Sequence, residues 1–128
     1  MMSEKVKIEL EFQLNTSPKI LYNCLSTPSG LSDWFADNVN VKDGVYTFIW
    51  DGSEESAKLL SKKAGESIKF QWLEDEGEEY FWEFCIKIDG ITKGVTLIVT
   101  DHADEDEVDE STLLWNNQIN NLKNTIGA

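Results

Sequence analysis

The fold turns on residues 108–126, VDESTLLWNNQINNLKNTI. Trp115, Ile119, Leu122 and Ile126 recur there at spacings of four and three, which draws one apolar stripe along a helix. The opposite face carries Asn116, Asn117, Asn120, Asn121 and Asn124, polar but uncharged, and suits either solvent or a partner. Asp109 or Ser111 stands where an N-cap is wanted, and acids at a helix start meet the positive end of its dipole. A long helix with one apolar stripe must lay that stripe on something, and the preceding sequence supplies the candidate.

Residues 38–100 read as a run of strands. Val39 and Val41 alternate before Asp43-Gly44, a strong hairpin signal. Tyr46, Phe48 and Trp50 share a face, and Asp51-Gly52 turns the chain. Ala57 to Lys62 is a weaker strand, and after Ala64-Gly65 the residues Ile68, Phe70 and Trp72 share a face again. Beyond the acidic loop Glu74–Glu79, the stretch Tyr80–Ile88 places Trp82, Phe84, Ile86 and Ile88 on one side. Val95, Leu97 and Val99 form the last of the series. Short turn-like links between strands predict an antiparallel meander.

At the other end, residues 5–14 alternate strictly. Val6, Ile8, Leu10, Phe12 and Leu14 face a core, and Lys5, Lys7, Glu9, Glu11 and Gln13 face water. The period then changes. Ser17-Pro18 and Thr27-Pro28 are two helix-start signals, each a capping hydroxyl followed by a proline suited to the first turn. Ile20, Leu21, Cys24 and Leu25 follow the first, and Leu31, Trp34 and Phe35 follow the second. The expected architecture is α+β and one domain over 1–128: a helix-grip fold in which a curved antiparallel sheet of about seven strands wraps around a long C-terminal helix, with two short helices after the first strand.

Charge narrows the partners. Twenty-four acids against eleven basic residues give a net charge of −13, a surface that repels nucleic acid and anionic headgroups. Every basic residue is Lys, so the chain lacks the side chain best suited to bidentate capture of phosphate or carboxylate. Residues 1–5 contain no apolar signal core, and no apolar run reaches membrane-spanning length. The expectation is a cytoplasmic protein with no nucleic-acid partner and no membrane insertion. Cys24 and Cys85 have no CxxC spacing and read as reduced thiols in apolar stretches.

Ser17-Pro18-Lys19-Ile20-Leu21-Tyr22, Leu25-Ser26-Thr27-Pro28, Leu31 and Asp33-Trp34-Phe35 together form a recognisable phrase, T-P-x-x-L-x-x-W-F at its core. Gly44–Phe48, Ile68–Trp72, Thr96–Thr100 and Trp115–Leu122 continue it. The chain resembles the START-like (SRPBCC) helix-grip superfamily of polyketide cyclases, lipid-transfer domains and pollen allergens. Within it, the chain is most similar to proteins like the activator of the heat-shock ATPase. The resemblance implies the helix-grip fold. Its members include lipid carriers, cyclases, receptors and chaperone activators.

The residues themselves offer little catalytic chemistry. His102 is the only histidine and is placed just past a strand, at a rim. Asp104, Asp106 and Asp109 are oxygen donors, but the glycine an EF-hand turn needs is missing, so the acidic run 101–110 reads as a solvated loop. One His and two distant Cys do not make a zinc site, and no phosphate loop or nucleophile elbow is present. Glu83, between Trp82 and Phe84, points outward by alternation. No cofactor and no metal are expected. What remains is aromatic: Trp34, Phe35, Phe48, Trp50, Phe70, Trp72, Trp82, Phe84 and Trp115, with Ile119 beside them. They either fill a dense core or wall a pocket for a small or medium hydrophobic molecule, between the C-terminal helix and the sheet. The leading expectation is noncatalytic binding there. A protein-interaction module resembling a chaperone cofactor is the alternative, and an enzyme of cyclase or hydrolase type using the same cavity ranks third.

Overall fold

Alternation and capping produce the elements where the sequence places them. A computed structural model describes residues 5–127. Residues 1–4, part of the segment read as free of a signal core, lie outside the described residues. The first strand, β1, spans Lys5–Leu14, with Ile8 and Leu14 buried and Leu10 and Phe12 half-buried. Two short helices follow, α1 (Pro18–Ser26) and α2 (Pro28–Trp34). Ser17 caps α1, its Oγ accepting from the Ile20 N–H at 3.1 Å. Thr27 closes one helix and opens the next: its Oγ1 donates to the Asn23 carbonyl at 2.8 Å and accepts from the Gly30 N–H at 2.9 Å. Gly30 is required at this corner, because a Cβ there would stand 2.8 Å from the Cys24 Cα.

The remaining strands are β2 (Asn38–Lys42), β3 (Val45–Trp50), β4 (Ser53–Lys63), β5 (Ser67–Trp72), β6 (Trp82–Ile88) and β7 (Val95–Asp104). They pair antiparallel in the spatial order β1-β7-β6-β5-β4-β3-β2. β4 is longer than expected and starts directly after the Asp51-Gly52 turn. A bulge between Leu59 and Ser61 bends it. β6 begins at Trp82 rather than Tyr80, because Tyr80 and Phe81 leave the ladder to pack around His102. Ile88, expected on the buried side of β6, is exposed at the strand's end.

The long helix α3 spans Val108–Ile126, with Trp115, Ile119 and Leu122 buried. Its bounds are those expected, but its cap is not. Neither Asp109 nor Ser111 caps it. β7 continues to Asp104, a 3-10 turn takes up Glu105–Glu107, and Glu107 holds the N-cap position without a side-chain hydrogen bond. Asp109 and Glu110 lie in the first turn, where they act through the dipole alone. Gly127, at φ 71°, ends the helix and returns its N–H to the Lys123 carbonyl. No helix among the described residues is long and apolar enough to cross a membrane.

The concave face of the sheet and the stripe of α3 enclose one core, with α1 and α2 closing an end. Its largest fully buried side chains include Trp82, Phe48, Phe70 and Phe84. Side-chain donors tie the helices down. The Trp34 indole donates to the Cys24 carbonyl at 2.8 Å, and the Tyr46 hydroxyl to the Ser26 carbonyl at 3.1 Å. The backbone of α3 runs nearest to β1, β7 and α2.

Candidate functional site

Phe35 is the centre of the aromatic interior. Its ring stacks on Trp82 at 5.4 Å and on Trp115 at 6.0 Å, and meets Trp34, Phe48, Trp50 and Phe84 edge-on at 5.2–6.5 Å. Trp82 in turn stacks on Phe70 at 4.4 Å. Quadrupole attraction favours such edge and offset contacts. The position of Phe35 is fixed by its own carbonyl, which accepts from the Trp50 Nε1 at 2.8 Å and from the Gln118 Nε2 at 3.4 Å. One backbone oxygen thus joins α2, β3 and α3.

The sequence-selected aromatics divide into two groups. Phe48, Phe70, Trp82, Phe84 and Ile119 are closed off from water and fill the core. Phe35, Trp50, Trp72 and Trp115 instead wall a cleft of about 230 Å³ between α3 and the β3–β5 side of the sheet. Trp34 lies apart from that cleft, beside a wider polar groove of about 480 Å³ between α2 and α3 that Asp33, Asp37, Asn121 and Asn124 also line. The cleft's remaining walls are Leu114, Gln118, Glu55 and Asp101. Leu114 is 60% exposed at the mouth.

Asp101 falls within the acidic run that reads as a solvated loop, and the structure corrects this. It belongs to β7, opposite Ile8 of β1, and its carboxylate faces the cleft. Oδ2 accepts from the Trp115 Nε1 at 2.8 Å, and Oδ1 accepts from the His102 backbone N–H at 2.7 Å. Burial pushes the Asp101 carboxyl above its ordinary value, against those two hydrogen bonds and the weaker pull of His102 and Lys5. Among the described residues it makes no ion pair. Lys5 lies 3.2 Å from Asp75 instead.

The signal for Asp101 was in the strand parity. Val95, Leu97 and Val99 point inward, and the same count continues through Asp101 to the buried Ala103. Glu55 follows the same logic, two residues before the buried Ala57 and directly opposite Phe48. Their chemistry hides this parity, because carboxylates in an acidic chain read as solvated. Glu83 behaves as alternation requires, between two buried residues and opposite Lys69 on the outer face.

The other sequence candidates carry less. His102 is not past a strand but inside β7, because the ladder with β1 extends to Asp104. Its Nδ1 is 2.9 Å from the Phe81 carbonyl, which holds the ring in a polar groove of about 410 Å³ adjoining the cleft. The carboxylates of Asp104, Asp106 and Glu107 converge within 4.8 Å of one another at the surface, and Asp109 is not among them. Cys24 is buried and Cys85 half-buried, both free. Burial raises both thiols above their ordinary value, and neither lines the cleft. The Trp82 Nε1 is buried without an acceptor among the described residues.

A family model described as the START-like superfamily domain matches residues 2–128. No curated protein matches the sequence. Among solved structures, a Bacteroides fragilis protein determined by solution NMR is 39% identical, with a TM-score of 0.69 over 95% of this chain and 91% of that one. The Aha1 dimer from Colwellia psychrerythraea is 16% identical, with a TM-score of 0.79 over 94% and 96%. CalU16 from Micromonospora echinospora is 15% identical, with a TM-score of 0.74 over 95% and 76%. The last two likenesses are likenesses of fold.

Proposed function

Since the chain belongs to the START-like superfamily, we propose that it is a noncatalytic binding domain holding a small hydrophobic or aromatic molecule between α3 and the sheet. One observation supports this reading above others: a cleft of about 230 Å³ walled by Phe35, Trp50, Trp72 and Trp115, directly above a core those same rings close. The half-buried rings of Trp50 and Trp72 gain most from a partner that displaces their water.

The volume sets the size of the occupant. Drug-sized ligands fill pockets of roughly 300–1,000 Å³, and an apolar cavity of about 150 Å³ accommodates benzene. The cleft therefore suits one ring or two fused rings, and is too small for a sterol or a diacyl lipid. The noncatalytic reading is supported by what lines the space. Both Asp101 oxygens already accept a hydrogen bond, and among the described residues no thiol, histidine or lysine stands in the wall.

Titration with indole and naphthalene, followed by tryptophan emission and thermal melting, tests the proposal. Saturable binding with a raised Tm is expected, lost or weakened at least tenfold in Trp72→Leu. A titration in which neither probe shifts the melt, while the wild-type protein is folded by near-UV circular dichroism, overturns it.

A further inference from the structure

From the walls of the cleft we infer that its preferred occupant is a small organic cation, an alkylated or quaternary ammonium head seated among Phe35, Trp50, Trp72 and Trp115 and facing Asp101. The inference rests on the binding-domain reading above and names the class of ligand.

Four aromatic rings from four elements converge on one small space. Phe35 follows α2, Trp50 ends β3, Trp72 ends β5, and Trp115 comes from α3. The Trp50 and Trp72 rings are 6.5 Å apart and tilted by 57°, and Trp50 meets Phe35 at 66°. Phe35 is stacked on Trp82 and on Trp115, so the half-buried rings of Trp50 and Trp72 are the ones open to the cleft, and the negative face of an aromatic ring attracts a cation. The protein's own lysines use this contact elsewhere: Lys69 lies 4.4 Å from the Phe81 centroid and Lys5 lies 5.2 Å from that of Tyr80. Among the described residues, no lysine covers a ring of the cleft.

Charge gives the sign. Among the described residues, the lining contains two carboxylates, Asp101 and Glu55, and no basic side chain. Asp101 is the more telling. It is held in place by two donors, stripped of much of its water, and left without a cation of its own among the described residues. An uncompensated carboxylate beside apolar walls is costly, and an incoming cation removes that cost. A neutral ligand leaves Asp101 as it found it, and an anion adds repulsion. The net charge of −13 draws cations toward the surface at long range. An ammonium head could arrive free or as part of a phosphocholine group. The cleft has no lysine in its wall and the chain has no arginine, so the phosphate finds no partner and the free cation is the favoured form.

The test compares choline with its neutral carbon isostere, 3,3-dimethyl-1-butanol, and with phosphocholine, by calorimetry and tryptophan emission on the full chain. Choline is expected to bind at least tenfold more tightly than either, the scale of one or two cation–π contacts plus a partly desolvated charge pair. Asp101→Asn should remove about tenfold of the choline affinity and weaken the butanol by less, and Trp72→Leu should weaken both. Trp72→Phe, which keeps a ring, should restore part of the loss. Near-UV circular dichroism checks that each variant is folded. Butanol binding as tightly as choline overturns the cation assignment and leaves the apolar reading standing. Tighter binding of phosphocholine overturns the preference for a free cation. Indole and naphthalene binding with no response to choline also defeats this inference alone, whereas silence from every probe defeats both.

Discussion

Replacing Phe35 by Ala probes the junction between core and cleft. The ring is 5% exposed and touches six other aromatic rings. Returning a buried phenyl group to water costs about 2–3 kcal/mol. The void left behind, roughly 100 Å³ at about 24 cal/mol per Å³, adds about 2 kcal/mol more. The backbone should not relieve this by collapse, because the Phe35 carbonyl is held by Trp50 and Gln118. A loss of about 4–5 kcal/mol is expected, a large part of the 5–15 kcal/mol typical of a domain. Urea unfolding followed by tryptophan emission measures it, with an unchanged m-value as the sign that the same surface is exposed. Phe12→Ala is the control: half-buried on β1, it should cost under about 2 kcal/mol. The new void opens onto the cleft, so naphthalene should restore more of the lost Tm than it adds to the wild type. A Phe35→Ala loss below about 2 kcal/mol, or one no greater than that of Phe12→Ala, would refute the central role given to this ring.

Further outcomes follow from particular contacts. Gly30→Ala forces a Cβ against the Asn23 carbonyl and the Cys24 Cα, both backbone atoms, and should cost about 2–4 kcal/mol in the same urea assay. Trp34→Phe deletes a hydrogen bond to Cys24, whereas Trp82→Phe deletes a buried N–H that has no acceptor, so the first should be more destabilising by about 1–2 kcal/mol although the second residue is the more buried. Asp101 gives a pH signature. Its carboxyl is raised in the folded chain, so the native state takes up the proton before the unfolded state does, and its contribution to stability falls as pH rises from the unfolded to the folded value. Subtracting the Asp101→Asn curve isolates this: wild type should gain relative to the variant as pH is lowered through the carboxylate range. The reverse slope would show that hydrogen bonds rather than burial govern the group.

Most of the architecture was legible because it rests on local rules. Strict alternation marks β1, hydroxyl-proline pairs mark both short helices, and Asp-Gly turns mark the hairpins. The bounds of α3 are legible but its cap is not, since a side-chain cap depends on where β7 stops, and that is decided by pairing with β1 far away in the chain. The candidate site was half legible. Aromatic residues on inward faces announce a crowded interior, but which of them stay open is set by how α3 leans toward β1 and β7. Asp101 and Glu55 had the parity of inward residues, and their chemistry argued the other way. At a ligand site the residue that breaks the apolar pattern is the informative one.

The pairing of β1 with β7 has a consequence for how the chain is made. The separation between partners runs from 99 residues, Lys5 to Asp104, down to 81, Leu14 to Val95. Synthesised before the other strands, β1 has no neighbour to join until β7 has been made. The hairpins from β2 to β5 form from near neighbours meanwhile. The late arrival of β7 and α3 then completes the sheet and covers its concave face in one stage, and loop closure of this length sets a slow, final step to folding. Until that moment the interior tryptophans are exposed to chaperones and proteases alike.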